Sequence, residues 1–204
     1  MESPSRIRVA LIVLNVLLVG GLVVVALKLL PFLGDRDTTE PVRQAVTATV
    51  SWSEGGQRAQ DRAWAWVADA ELVRVEASWY VTPDWRQLAL PPLVWGFVYY
   101  SPSERMLATV AVEDDDVLWA PPVPIPVVPE SIEGFPPAYG PELAWISFKG
   151  AGGVGFLEVH PEAEVVFRMQ NEASGLVWTI VASEGTSRHQ AVIDAQSGTV
   201  LLHD

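Results

Sequence analysis

Nineteen consecutive residues without a charge, Val9 to Leu27, constrain this 204-residue chain more than any other feature. Asn15 is the only strongly polar side chain among them. At 1.5 Å per residue a helix of this length spans about 28 Å, close to the ~30 Å hydrocarbon core of a bilayer. A helix packed on a soluble core would carry a polar face, and this stretch has none. The apolar part of a cleaved signal peptide usually runs about 7 to 15 residues and ends at a small-x-small site, whereas here Lys28-Leu29-Leu30-Pro31 follows. The stretch predicts a single uncleaved transmembrane helix over 9–30, with a cytoplasmic N-terminus over 1–8. Arg6 and Arg8 precede the span and favour the N-terminus inside. The expected protein is single-pass in the cell membrane, its C-terminal part extracytoplasmic.

That part is acidic. The chain holds 13 basic and 25 acidic residues for a net charge of −12, and only Arg6, Arg8, Lys28 and Glu2 precede Asp35. Such a surface repels nucleic-acid phosphate, which excludes nucleic acid as a partner. Half of the residues are hydrophobic and nine are Trp, so a packed core is expected. The chain has no cysteine, which fits an oxidising or a reducing compartment equally.

Thr38-Thr39-Glu40-Pro41 reads as a helix start, and Gly55-Gly56 as a break. Ala59, Ala63, Trp66, Val67 and Ala70 then recur at helical spacing, with Trp64 off the stripe. After Asp69 the period changes to two. Leu72, Arg74, Glu76 and Ser78 alternate with Val73, Val75, Ala77 and Trp79, a strand with one buried face.

A gapless offset of 83 residues lays 95–118 over 178–201. Trp95 meets Trp178, Val98 meets Val181, Arg105 meets Arg188, Ala108 meets Ala191, and Val117-Leu118 meets Val200-Leu201, so six of 24 positions are identical. Each segment reads as strand, turn, strand, turn, which suggests an internal repeat. Between them Pro121 to Pro129 holds five prolines in nine residues, a pattern expected to form a stiff polyproline connector over 120–130. A helix is expected over 142–149, one further turn over 154–159, and a strand around Val165, Phe167 and Met169. The predicted fold class is α+β: a transmembrane helix followed by two tandem helix-plus-antiparallel-sheet repeats, at 38–119 and 131–204.

The run Val192-Ile193-Asp194-Ala195-Gln196-Ser197-Gly198-Thr199-Val200-Leu201, with Trp178 on the partner strand and a preceding helix, resembles the end of a PepSY domain. That domain finishes in a Val-x-x-Asp-Ala-x-Thr-Gly-x-Val-like hairpin, and Ser197 stands where Thr is usual. The resemblance covers about 141–202. The first repeat matches less well, because Glu113 to Asp116 replaces the Asp-Ala and Gly positions. The resemblance implies an extracytoplasmic, non-catalytic module of the kind found in peptidase prosegments and membrane-anchored envelope proteins, with a peptidase or another envelope protein as its partner.

No catalytic constellation is legible. Ser183, His189 and Asp194 lie in one hairpin, and alternation points His189 and Asp194 to opposite faces. His160, His189 and His203 lack zinc-ligand spacing. The acidic run Glu113 to Asp116 lacks the alternating pattern of a calcium loop. The glycines of 150–155 follow a helix rather than a strand, so they are no dinucleotide fingerprint. No enzyme activity, metal or cofactor is expected. Trp79, Trp95 and Trp178 are expected in the core, and Trp85, Tyr99, Tyr100, Trp119 and Tyr139 nearer the surface. The loop Thr82-Pro83-Asp84-Trp85-Arg86, absent from the second repeat, makes Trp85 and Arg86 the candidate partner contacts. The expected function is a membrane-held binding or regulatory module. The alternative is a domain that binds a lipid or a cell-wall fragment in an apolar pocket.

Overall fold

The computed structural model describes residues 51–81, 94–113 and 116–204. The apolar stretch 9–30, the helix start at 38–41 and the Trp85–Arg86 loop lie outside them. Among the described residues no helix is long and apolar enough to cross a membrane.

Helix α1, Trp52–Trp66, starts where Ser51 caps it, its Oγ accepting from the Glu54 N–H at 3.3 Å. The first part of the helical stripe falls as the spacing predicts, with Ala59 and Ala63 fully buried and Trp64 exposed, but the helix ends at Trp66, and Val67, already extended, and Ala70 lie beyond it. The expected break at Gly55-Gly56 does not occur, because both glycines are buried against the sheet. A Cβ on Gly56 would come within 2.3 Å of the Phe135 ring. The glycines let the helix backbone approach its neighbours, which outweighs their poor helix propensity.

Eight strands follow the order β4-β3-β2-β1-β5-β6-β7-β8 in one sheet. They are β1 Glu71–Tyr80, β2 Trp95–Ser101, β3 Met106–Glu113, β4 Asp116–Pro124, β5 Glu164–Glu172, β6 Gly175–Glu184, β7 Ser187–Asp194 and β8 Val200–His203. Every neighbouring pair is antiparallel. This corrects the expected fold of two tandem helix-plus-sheet repeats after a transmembrane helix. The two meanders fuse through β1 and β5, which pair from Arg74 with Gln170 to Tyr80 with Glu164. A lone meander would leave the β1 and β5 edges unpaired, and their pairing satisfies both.

The core is likewise continuous. Trp52 of α1 meets Trp95 of β2 at 6.2 Å and Trp178 of β6 at 5.7 Å, and Phe135 lies edge-on to Trp52 at 4.9 Å. The Trp178 indole N–H donates to the Tyr139 carbonyl at 2.8 Å, satisfying a buried polar group. Tyr99 and Tyr100, expected near the surface, are buried on opposite faces. Tyr99 joins the main core, and Tyr100 a small cluster with Val73 and Val98.

The proline-rich segment is not a detached connector as far as Pro124. Ala120 pairs with Thr109 and Val123 with Leu107, so the prolines close strand β4 at the sheet edge. Proline is tolerated there because one side of an edge strand forms no ladder. Residues 125–140 then cross to the second half, where the Ile132 N–H donates to the Leu72 carbonyl and the Tyr139 N–H to the Ala195 carbonyl. Helix α2, Pro141–Phe148, passes through a π-helical turn at Lys149–Gly153 into α3, Val154–Val159. Gly152 at φ +101° bends the chain at the expected glycines.

Candidate functional site: a charged cluster on the sheet

The strand period divides the sheet into two unlike faces. Val75 and Ala77 of β1, Phe97 of β2, Val110 of β3, Phe167 of β5 and Ile180 of β6 point into the helix-covered core. Their neighbours point the other way. One row on that second face crosses the sheet from Ala111 and Gly96 through Glu76, Arg168 and Thr179 to Val192. Among the described residues no helix packs on this row.

At its centre lies a charged cluster. Arg74 and Glu76 share a face of β1 as i and i+2, and Arg168 stands directly across from Glu76 on β5. The Glu76 carboxylate oxygen Oε2 is 3.1 Å from Arg74 Nε and 3.7 Å from Arg168 Nε. Glu76 is the most enclosed, its side chain 12% exposed, against 23% for Arg74 and 40% for Arg168. Burial pushes the Arg74 guanidinium down, Glu76 pushes it back up, and Arg168 adds repulsion. One carboxylate thus stands between two guanidinium groups, leaving a local excess of positive charge in an acidic chain.

The hydrogen bonds of this cluster are incomplete. Arg74 Nε, Arg168 Nε and Thr179 Oγ1 are buried and have no hydrogen-bond partner, although both Nε atoms lie within ion-pair distance of Glu76. Thr179 is the direct strand partner of Arg168. Glu76 thus holds both guanidinium groups as ion pairs rather than as aligned hydrogen bonds.

The other residues singled out from sequence lie elsewhere. Trp85 and Arg86, the candidate partner contacts, fall outside the described residues. His189 turns toward the helices, 5.4 Å from the Phe148 ring and 6.0 Å from the Phe156 ring. Asp194 instead closes its own turn, accepting from the Ser197 N–H, the Gln196 N–H and the Ser197 hydroxyl. Those bonds, chiefly the Ser197 N–H, hold its carboxyl below the usual range. The geometry does not assemble a Ser-His-Asp set in this hairpin. His160 ends α3, and His203 ends β8 beside an open depression bordered by Ser147, Gly152 and Val200. Among the described residues no three His, Asp or Glu side chains gather as metal ligands.

Arg74 and Glu76 were visible in sequence as the polar partners of an alternating strand. Arg168 was visible in the same way on β5. Their meeting was not, because it depends on the β1–β5 pairing and on no local signal.

No family model matches the chain, and no curated protein matches it. A solved structure, that of a "putative lipoprotein" from Clostridium difficile 630, aligns over 71% of this chain and 88% of its own at 9% identity, with a TM-score of 0.43. A likeness of that size carries no argument about this chain.

Proposed function

We propose that this protein is a non-catalytic binding module, held at a membrane on the extracytoplasmic side, and that the sheet face opposite the helices receives a protein partner. One observation carries the reading. Among the described residues the helices pack on a single face of the sheet, and the other face carries the ion-paired cluster of Arg74, Glu76 and Arg168. Arginine is enriched at protein–protein interfaces relative to the rest of a surface, which supports a protein partner for this face.

Membrane association rests on the charge-free run from Val9 to Leu27. The PepSY resemblance of Val192 to Leu201 supports an extracytoplasmic peptidase or another envelope protein as the partner class, with restraint or assistance as the module's task. The test places a photo-crosslinking residue at Ser78, exposed on the face of β1 opposite the helices, or at Trp64, exposed on the outer side of α1. In membranes holding the full-length chain, Ser78 is expected to yield a defined cross-linked species and Trp64 none. Equal yields at both positions, or none at Ser78, would sink the reading. Alkaline carbonate extraction of the same membranes tests the anchor, and release of the chain into the supernatant would remove it.

A further inference from the structure

We infer that β8 is the seam of a symmetric dimer: a second copy of this chain lays its own β8 antiparallel to the first, and the two sheets continue as one. The inference goes beyond the partner proposed for the face opposite the helices and shares with that reading only the membrane setting of its test.

The two edges of the sheet are unlike. On β4, Pro121, Pro122 and Pro124 have no N–H to offer a further strand, and Asp116 adds a charge. Proline and charge are what blunt an edge against pairing. Strand β8, Val200–His203, has neither. Beyond it Asp204 and Gln190 exchange both backbone hydrogen bonds, at 3.0 and 3.1 Å. Because these groups alternate along an antiparallel strand, the N–H and C=O of His203 point away from β7. Among the described residues no strand takes them up. Leu201 is 45% and Leu202 53% exposed beside them. On the helix side an open depression runs along the strand, with Val200 and His203 on one border and Ser147, Gly150 and Ala151 on the other. A Cβ placed on Gly150 would meet nothing within 4 Å, so this border leaves room for an incoming side chain.

Charge selects the occupant. A chain of net charge −12 repels its own copy over most of its surface. Val200 to His203 carry no formal charge at pH 7, and no Asp, Glu, Lys or Arg borders the depression, so here two copies meet without like charges on the paired strands. The strand is also complementary to itself. With a two-fold axis through Leu202, each His203 exchanges backbone hydrogen bonds with the other copy's Leu201, Leu202 faces its counterpart, and Asp204 faces Val200 rather than another acid. Leu202 pairs with Val192, on the face opposite the helices, whereas His203 pairs with Ala191, on the helix side, where the depression lies. The blunted β4 edge cannot repeat the contact, so association closes at two copies instead of running on as a fibre.

The chain has no cysteine, so one introduced thiol reports without background. The Leu202 pair is of the non-hydrogen-bonded kind, with Cα atoms about 4.5 Å apart, within reach of a disulfide. In membranes holding the full-length chain, oxidation with copper–phenanthroline is expected to shift L202C to twice the chain mass. V123C, at a β4 position 51% exposed, is expected to stay at the mass of one chain. Adding H203P to L202C removes the outward N–H and no bond of the sheet itself, and the doubled species should be lost while circular dichroism is unchanged. No doubled species from L202C, equal yields from L202C and V123C, or a cross-link that survives in folded H203P would overturn the inference. Should H203P fail to fold, the contrast between L202C and V123C decides alone. A photo-crosslinking residue at Leu202 that joins a protein of another mass, or closes within one chain, overturns it as well, because something other than a second copy then covers the edge. Should carbonate extraction release the chain, the anchor fails by itself and the same comparison is made on the purified full-length protein.

Discussion

Gly55 and Gly56 are adjacent in α1 and both buried, yet a methyl group on each meets a different surrounding. On Gly55 it would lie 3.5 Å from Val112, an ordinary contact, and on Gly56 it would lie 2.3 Å from Phe135 and 3.2 Å from Phe97. Alanine at either site gains helix propensity of about 1 kcal/mol. At Gly55 nothing opposes that gain, so Gly55→Ala is expected to stabilise by about 0.5–1 kcal/mol. At Gly56 two rings must shift, and overpacking of this kind costs about 1–3 kcal/mol. Gly56→Ala is therefore expected to be neutral to destabilising by about 2 kcal/mol. Denaturant midpoints for the two variants check the contrast, and equal shifts of one sign would show that Phe135 yields freely. In sequence the pair reads as a helix break, since a glycine's cost is local and its use depends on a ring 79 residues further on. The alanine stripe read correctly because burial at every third or fourth position is itself a local pattern.

Among the elements, the β7–β8 turn shows what a hairpin motif encodes. Asp194 accepts three hydrogen bonds from Gln196 and Ser197, and Gly198 takes φ +75° with its backbone against the Tyr139 ring. Because the folded Asp194 carboxyl is held below its ordinary value of 3.8, its contribution is complete above that pH and is lost as pH falls through the folded value. Asp69 behaves alike, held down chiefly by the Ser103 N–H, with the Ser101 hydroxyl adding to it. Thermal midpoints of the wild-type chain should therefore fall below about pH 4, and Asp194→Asn should flatten that part of the profile. An unchanged acid limb in the variant would assign the loss to other carboxylates. The turn chemistry was legible because Asp-x-x-Ser-Gly acts within five residues. The proline-rich segment misled for the opposite reason: proline forbids a central strand but permits an edge strand, and only the sheet order shows that β4 is the edge.

At the largest scale, among the described residues one core built from both meanders implies one cooperative unit. Trp52, Trp95 and Trp178 belong to α1, β2 and β6 and contact one another. Tryptophan fluorescence and far-ultraviolet circular dichroism should report a single coincident denaturant transition. A chain ending at Pro124 should not reach that stability, because it exposes the β1 edge and half of the aromatic cluster. Two separated transitions would mean that the two meanders unfold independently, a question the sequence leaves open. The 83-residue offset places Trp95 and Trp178 on corresponding strands, and both are buried. What no periodicity could supply was the contact between β1 and β5, whose residues come no closer along the chain than Tyr80 and Glu164. That separation has a kinetic consequence. The hairpins of each meander close over short loops in microseconds, whereas the central pairing must close a loop of more than 80 residues. The two halves are then expected to order first and the middle of the sheet last. Among the described residues the charged cluster would then be the last part to form, so its ion pairs report a sheet that has finished folding.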